Sequence, residues 1–253
     1  TVGAITLADT TTTLTINATS DLTTGAITDT AGADVMTSIV ITGSGDVDIN
    51  AAALEAEVVT VDASASSGDV DVTVGAVGDA TDPSTVDIAD VTVTGGSGDD
   101  SIDMSNVLTA REISVSAGAG DDTITTGAVL FVDSGTTIAG DVVDGGDGTD
   151  ILSVTAAAAN AQTAVTTISG IEELTISDAL VTGGITVANY QAGINTVNLA
   201  SGGIGEITFE AGANTVNIVA PLGAGTLALT DTGTATTDSV TIVNEDEAAD
   251  AFA

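Results

Sequence analysis

The chain has 253 residues, 43% of them hydrophobic and only 2% aromatic, and sets 28 Asp and nine Glu against one basic residue, Arg111, for a formal charge of −36. Nucleic-acid binding needs Lys and Arg to displace counterions from phosphates, so it is excluded, and anionic membranes and polyanionic substrates are disfavoured on the same ground. Cations are the natural partners.

The apolar content is mostly Ala, Val, Ile and Leu, which predicts a thin core, and the weight of Val, Ile and Thr favours strands over helices. There is no Cys, hence neither disulfide nor thiolate metal site, and no apolar run of about 18 residues that would insert directly in a membrane as a helix. The chain opens on Thr1 without Met and without a basic leader, which reads as a segment or processed product of a longer protein, with any export signal beyond its ends. Acidic, aromatic-poor chains are often disordered, but a mean hydropathy of +0.44 and recurring Val/Ile alternation argue for a fold when divalent cations are present.

In chain order, one unit keeps returning: an alternating run, a Gly-containing turn with acid or Ser, then a second alternating run. It is seen in "SIVITGSGDVDIN" from Ser38, "VVTVDASASSGDVDVTV" from Val58, "DVTVTGGSGDDSID" from Asp90 and "EISVSAGAGDDTIT" from Glu112. Weaker copies follow in "VVDGGDGTDILSV", "ELTISDALVTGGITV", "TVNLASGGIGEITF", "TVNIVAPLGAGTLALT" and "SVTIVNEDEAADAF". Aligned on Ile39, Val59, Val91, Ile113, Val142, Leu174, Val197, Val216 and Val240, the units step by 20, 32, 22, 29, 32, 23, 19 and 24 residues. A period of roughly 20–30 residues built from short strands and turns is that of a parallel β-helix, or β-solenoid, whose coils stack about 4.8 Å apart. The expected fold is therefore all-β, a single elongated solenoid over 1–253 with nine or ten irregular coils. An antiparallel sandwich is the structural rival, weakened by the scarcity of hairpin dipeptides. Three segments interrupt the pattern: 51–57 and 156–165 read as outward insertions of one or two helical turns, and 78–87 as a surface loop.

The stretch "GGSGDDSID" (95–103) fits the calcium-binding β-helix nonapeptide G-G-x-G-x-D-x-U-x at Gly95, Gly96, Gly98, Asp100 and Ile102. "AGAGDDTIT" (117–125) repeats it with Ala117 for the first Gly, and "GGDGTDILS" (145–153) matches fully. Glycine lets the backbone turn and offer carbonyl oxygens, Asp supplies a charged oxygen, and Ca2+ takes six to eight oxygens at about 2.3–2.6 Å, so stacked turns complete one another's sites. The candidate ligands are Asp100, Asp122 and Asp150, spaced by 22 and 28 residues, with Asp99, Asp121 and Asp147 beside them and backbone at Gly95, Ser97, Ala117, Ala119 and Gly145. Weaker candidates are Asp46 and Asp48, and Asp69 and Asp71, which sit one place off the motif and read equally well as a solvated face, together with Asp103 and Asp144. The acidic run at 244–250 reads as a solvated tail.

With these motifs falling once per coil, the chain resembles the calcium-dependent crystalline surface-layer (S-layer) proteins of Gram-negative bacteria, which carry RTX-type nonapeptides and leave by type I secretion. The likeness is closest over 93–178, in "VTGGSGDDSI", "SAGAGDDTITT", "DVVDGGDGTDILSV" and "ISGIEELTIS". The resemblance implies structural calcium at Asp100, Asp122 and Asp150, folding outside the cell, and self-association into a cell-surface array. The first 90 residues depart from the family in carrying only off-register motifs. No cell-anchoring domain is recognisable, so a polysaccharide anchor would belong to another part of the parent protein.

Two other classes remain. Right-handed β-helices host polysaccharide lyases and epimerases, but that chemistry needs a base such as His, Lys or Tyr, and the chain has no His and one Tyr, Tyr190. Glu172 and Glu173 are adjacent and so point to opposite faces of a strand. A calcium-stiffened adhesin or filament subunit shares every feature above and differs in how copies meet.

Overall fold

The computed structural model describes residues 1–8, 10–29, 36–55, 57–75, 91–107, 112–128, 131, 141–180, 183–223, 225–232 and 238–244. The loop read at 78–87, the acidic residues from 245 onward and Arg111 lie outside these. Every strand pairing among the described residues is parallel, which overturns the sandwich and establishes the β-solenoid. One sheet has ten strands and a second has seven, and smaller sheets of two and three strands complete the walls.

Alternation makes the solenoid because each coil must bury one side of each strand. In the seven-stranded sheet, Leu14, Ile39, Val61, Val93, Val115, Val143 and Ile168 stand in one register column. In the ten-stranded sheet the matching column is Val72, Ile102, Ile124, Leu152, Leu174, Val197, Val216 and Ile242. Most of these side chains are at most 2% exposed, and a core this narrow has room for Val, Ile and Leu stacked on their equivalents one coil away. Two of its three buried aromatics among the described residues, Phe131 and Tyr190, meet edge to face with ring centroids 6.1 Å apart.

The observed columns correct the sequence alignment in two ways. The anchors up to Val142 lie on or beside the seven-stranded sheet, whereas Leu174, Val197, Val216 and Val240 belong to the ten-stranded one, so the apparent period crossed from one wall to the other. Val142 is also one residue out: it is 41% exposed, and the core position belongs to Val143, which is fully buried. A one-residue slip exchanges the two faces of a strand, and "DVVD" offers two valines with no local signal to choose between them.

The alanine-rich insertions also differ from expectation. Ala156–Ala161 is a helix capped by Thr155, whose Oγ1 accepts the Ala158 amide at 3.2 Å. It packs inward, burying Ala156, Ala158 and Ala159, because methyl side chains let a helix lie close against the coil. The described part of 51–57 contains no helix; there Leu54 is buried and its amide donates to the Thr73 carbonyl at 2.9 Å, so the segment is an irregular part of a rung.

The valine register yields a direct test. Val143→Ser opens a cavity and buries a hydroxyl, with an expected loss of about 2–4 kcal/mol in urea unfolding, whereas Val142→Ser should change stability by less than about 0.5 kcal/mol. The reverse ranking would place Val142 in the core.

Candidate metal centre at the acidic corner

Strand pairs such as Ile113–Ala119 and Thr123–Gly127, or Val142–Asp147 and Ile151–Val154, run first along the seven-stranded and then along the ten-stranded sheet. The Gly-Asp motifs are the corners between them. The glycines permit the corner: Gly146 has φ of 106°, and a Cβ there would overlap the Gly118 carbonyl one coil away. Gly95 and Gly145 are crowded in the same way, since a Cβ on either would overlap the carbonyl of Ala117 or Gly170 one coil away and also run into the side chain of Asp100 or Asp150. Ala117 fills the same buried position in the middle rung, between them.

Register places Asp100, Asp122, Asp150 and Glu172 in one column, following Val70. Each carboxylate accepts the backbone amide of the residue one coil earlier: Val70 N donates to Asp100 Oδ1 at 2.8 Å, Asp100 N to Asp122 Oδ1 at 2.7 Å, Asp122 N to Asp150 Oδ1 at 2.8 Å, and Asp150 N to Glu172 Oε2 at 2.9 Å. A second, exposed ladder runs beside it with the opposite sense. Asp69 N donates back to Asp46 Oδ1 at 3.1 Å, and Asp99 N to Asp69 Oδ1, Asp121 N to Asp99 Oδ1 and Thr149 N to Asp121 Oδ1, each at 2.8 Å. The dipeptides Asp99-Asp100 and Asp121-Asp122 therefore stitch a coil to both of its neighbours, one acid to each ladder.

The remaining candidates are distributed around this seam. Asp48 and Asp71 are register partners on the outer side of the ten-stranded sheet and share a recess of about 270 Å3 with Asp21, Asp46 and Asp69. Asp103 accepts the Ser105 amide at 2.8 Å in a local turn, and Asp144 accepts the Ser169 hydroxyl at 2.9 Å on the seven-stranded sheet. Ser97, Asp99, Asp121 and Asp147 are exposed. Part of the turn backbone is spent on stacking: the Asp147 carbonyl accepts Gly120 N at 2.9 Å, the Gly96 carbonyl accepts Ala119 N at 3.1 Å, and Ser97 N donates to Ser66 O at 3.2 Å.

The inner acids are in an unusual electrostatic position. Asp100 is 2% exposed and Asp122 and Asp150 are fully buried. Both oxygens of Asp100 are satisfied, since Oδ2 takes the Gly96 amide at 2.6 Å, but Oδ2 of Asp122 and Oδ2 of Asp150 are buried without a hydrogen-bond partner. Burial, reinforced by Asp69 and Asp71 and opposed by the Gly96 and Val70 amides, raises the Asp100 pKa to about 6. Burial, with the charges of Asp100, Asp150 and Asp99 and against the Asp100 amide, raises Asp122 to about 7. Asp150 moves up as well, through burial first and then Glu172, Asp121 and Asp144, against the Asp122 amide.

Two of these features were absent from the sequence reading: Glu172 as a member of the inner column, and the outer ladder as one continuous feature. Glu172 follows Asp150 by 22 residues, the same step as Asp100 to Asp122, but no glycine motif precedes it. The off-motif Asp46 and Asp69 are one residue early because they belong to the outer ladder.

The donor set is all oxygen and contains no nitrogen or sulfur ligand, which suits a hard cation such as Ca2+. Among the described residues no three acidic side chains converge on a point. A cation here would take one or two carboxylates and fill its shell from backbone carbonyls and water, and Asp122 and Asp150, with an oxygen each to spare, are better placed than Asp100. No family model, no curated protein and no solved structure matches this chain.

The raised pKa values fix a sign. The unfolded carboxyls titrate near pH 4, so between about pH 4 and 7 the folded chain binds more protons than the unfolded one, and stability falls as pH rises through that window. In EGTA the Tm should be highest near pH 4–5 and lowest above about pH 7, with Asp122→Asn flattening the upper part of the fall. A Tm rising steadily across that window would contradict the burial of these acids.

Proposed function

We propose that this chain is a structural protein of the cell exterior, which binds calcium along its acidic corner and associates with further copies of itself into a surface layer, as its resemblance to calcium-dependent S-layer proteins implies. The observation that carries the reading is the pair of buried, unpartnered oxygens on Asp122 and Asp150, in a column of acids without a neutralising side chain beside it among the described residues. Two unit charges about 4.8 Å apart repel by about 1 kcal/mol in water and by about 3–4 kcal/mol at an effective dielectric constant near 20. Bound calcium supplies positive charge and accepts the spare oxygens, turning a destabilising column into a seam between coils.

The chain's own part follows from its ladders. Asp122 and Asp150 each hold a neighbouring amide through Oδ1 and keep Oδ2 for the cation; Asp100, fully engaged by Val70 and Gly96, holds the first rung of the seam. Extracellular calcium modules bind at about 10⁻⁴–10⁻³ M, so such a chain would stay loosely folded at the low free calcium of a cell interior and lock on export. The formal charge of −36 would keep copies apart until divalent ions neutralise it, which ties assembly to the same signal.

Circular dichroism and light scattering on one EGTA-treated sample, titrated with calcium, test this. A cooperative gain in β signal followed by particle growth is expected, and imaging of the particles separates a sheet-like array from filaments. Asp122→Asn with Asp150→Asn should raise the calcium midpoint by at least about tenfold, which corresponds to about 1.4 kcal/mol. Spectra and scattering indifferent to calcium would defeat the proposal.

A further inference from the structure

The inner ladder has a definite end, and the residue there does a job its neighbours do not. Up to Asp150, each column acid is a buried aspartate whose own amide is taken by the next acid along. Glu172 is exposed and one methylene longer, and it reaches back to accept Asp150 N at 2.9 Å. Its own amide does not continue the ladder but returns to the Asp150 carbonyl at 3.0 Å, closing a two-bond ring between the coils. The outer ladder stops at the same place. Thr149 contributes no carboxylate, and the next residue in that column, Ile171, has its amide and carbonyl engaged by the Gln191 side chain at 3.0 and 3.2 Å. Beyond Glu172 the inner column continues as Asn195 and Asn214, without acids.

Resting on the calcium reading above, we infer that Glu172 is a positioning residue for the cation site of Asp122 and Asp150: by clasping the Asp150 backbone it fixes the terminal rung so that Asp150 Oδ1 meets Asp122 N while Oδ2 stays unpartnered. The clasp needs an acceptor oxygen at glutamate's reach and does not need its charge. Nothing in the glycine motif specifies it, and it adds a residue outside the nonapeptides to the seam.

Two substitutions separate reach from charge. Glu172→Gln keeps the side-chain length and a carbonyl oxygen, whereas Glu172→Asp keeps the charge and falls one methylene short. Calcium affinity of the whole chain by isothermal titration, with Tm in EGTA as a second readout, should leave Glu172→Gln within about twofold of the unmodified chain, while Glu172→Asp binds about tenfold more weakly and has a lower Tm even without calcium. The reverse order, with Gln weak and Asp unaffected, would make Glu172 a charge donor to the ion and overturn the positioning role. Two unaffected variants would overturn it as well. An unmodified chain that binds no calcium would instead bring down the calcium reading itself, and the Tm in EGTA would then report whether the clasp exists as a structural contact alone.

Discussion

The constraint on which this solenoid depends is the fate of backbone amides at its corner. Along a parallel sheet every coil hands its N–H groups to the carbonyls of the next, but where the chain turns from one wall to the other that exchange is interrupted. A buried amide left unpaired there costs about 1–3 kcal/mol, and the same corner recurs in every coil. The chain meets the need with carboxylates. Asp100, Asp122, Asp150 and Glu172 serve the inner amides, and Asp46, Asp69, Asp99 and Asp121 serve the outer ones in the opposite direction. Much of what looks in composition like surface charge is thus backbone capping. Its consequence is a line of like charges, part of it removed from solvent.

How much of this was legible in the sequence depends on which physical signal each part leaves. The solenoid was readable because strand alternation and a recurring corner are both local patterns, and the spacing of Asp100, Asp122 and Asp150 fixed their column because a strand begins directly after each motif. The face of a strand was not readable where both candidate positions are valine, as at Val142 and Val143, because only packing distinguishes them. Asp46 and Asp69 looked misplaced while a single ladder was assumed; two ladders of opposite sense require acids at adjacent positions, and the Asp-Asp dipeptides state this in the sequence. Glu172 keeps only the last glycine of the motif, Gly170, two residues before it as Gly148 is before Asp150, and it carries a glutamate where the motif has an aspartate, so the nonapeptide pattern does not find it.

The core explains two further differences. Beside a narrow interior lined with Val and Ile, the helix Ala156–Ala161 turns Ala156, Ala158 and Ala159 inward and leaves Ala157 and Ala161 exposed, so poor strand formers became part of the wall and not an outward insertion. Tyr190, the chain's one tyrosine, is wholly buried against Phe131, and burial pushes its phenol pKa well above the ordinary value. A phenol held in this way is a packing residue and is not available to take a proton from a solvent-borne sugar.

The change of chemistry along the inner column bears on why the acids are there. An asparagine oxygen accepts an amide as well as an aspartate oxygen does and brings no charge. The column itself turns to Asn195 and Asn214 after Glu172, and on the outer side of the same sheet Asn217 Nδ2 donates to Asn198 Oδ1 at 2.7 Å, an uncharged contact between coils. Residues 43–150 hold 22 acidic residues whereas 183–244 hold four. The carboxylates are thus concentrated where the Gly-Asp corners are, and the later coils carry few of them. Concentrating carboxylates in the earlier coils gathers like charge there, and because Oδ2 of Asp122 and Oδ2 of Asp150 are buried and unpartnered, a divalent cation of the kind proposed above would meet them without the chain surrendering an amide bond.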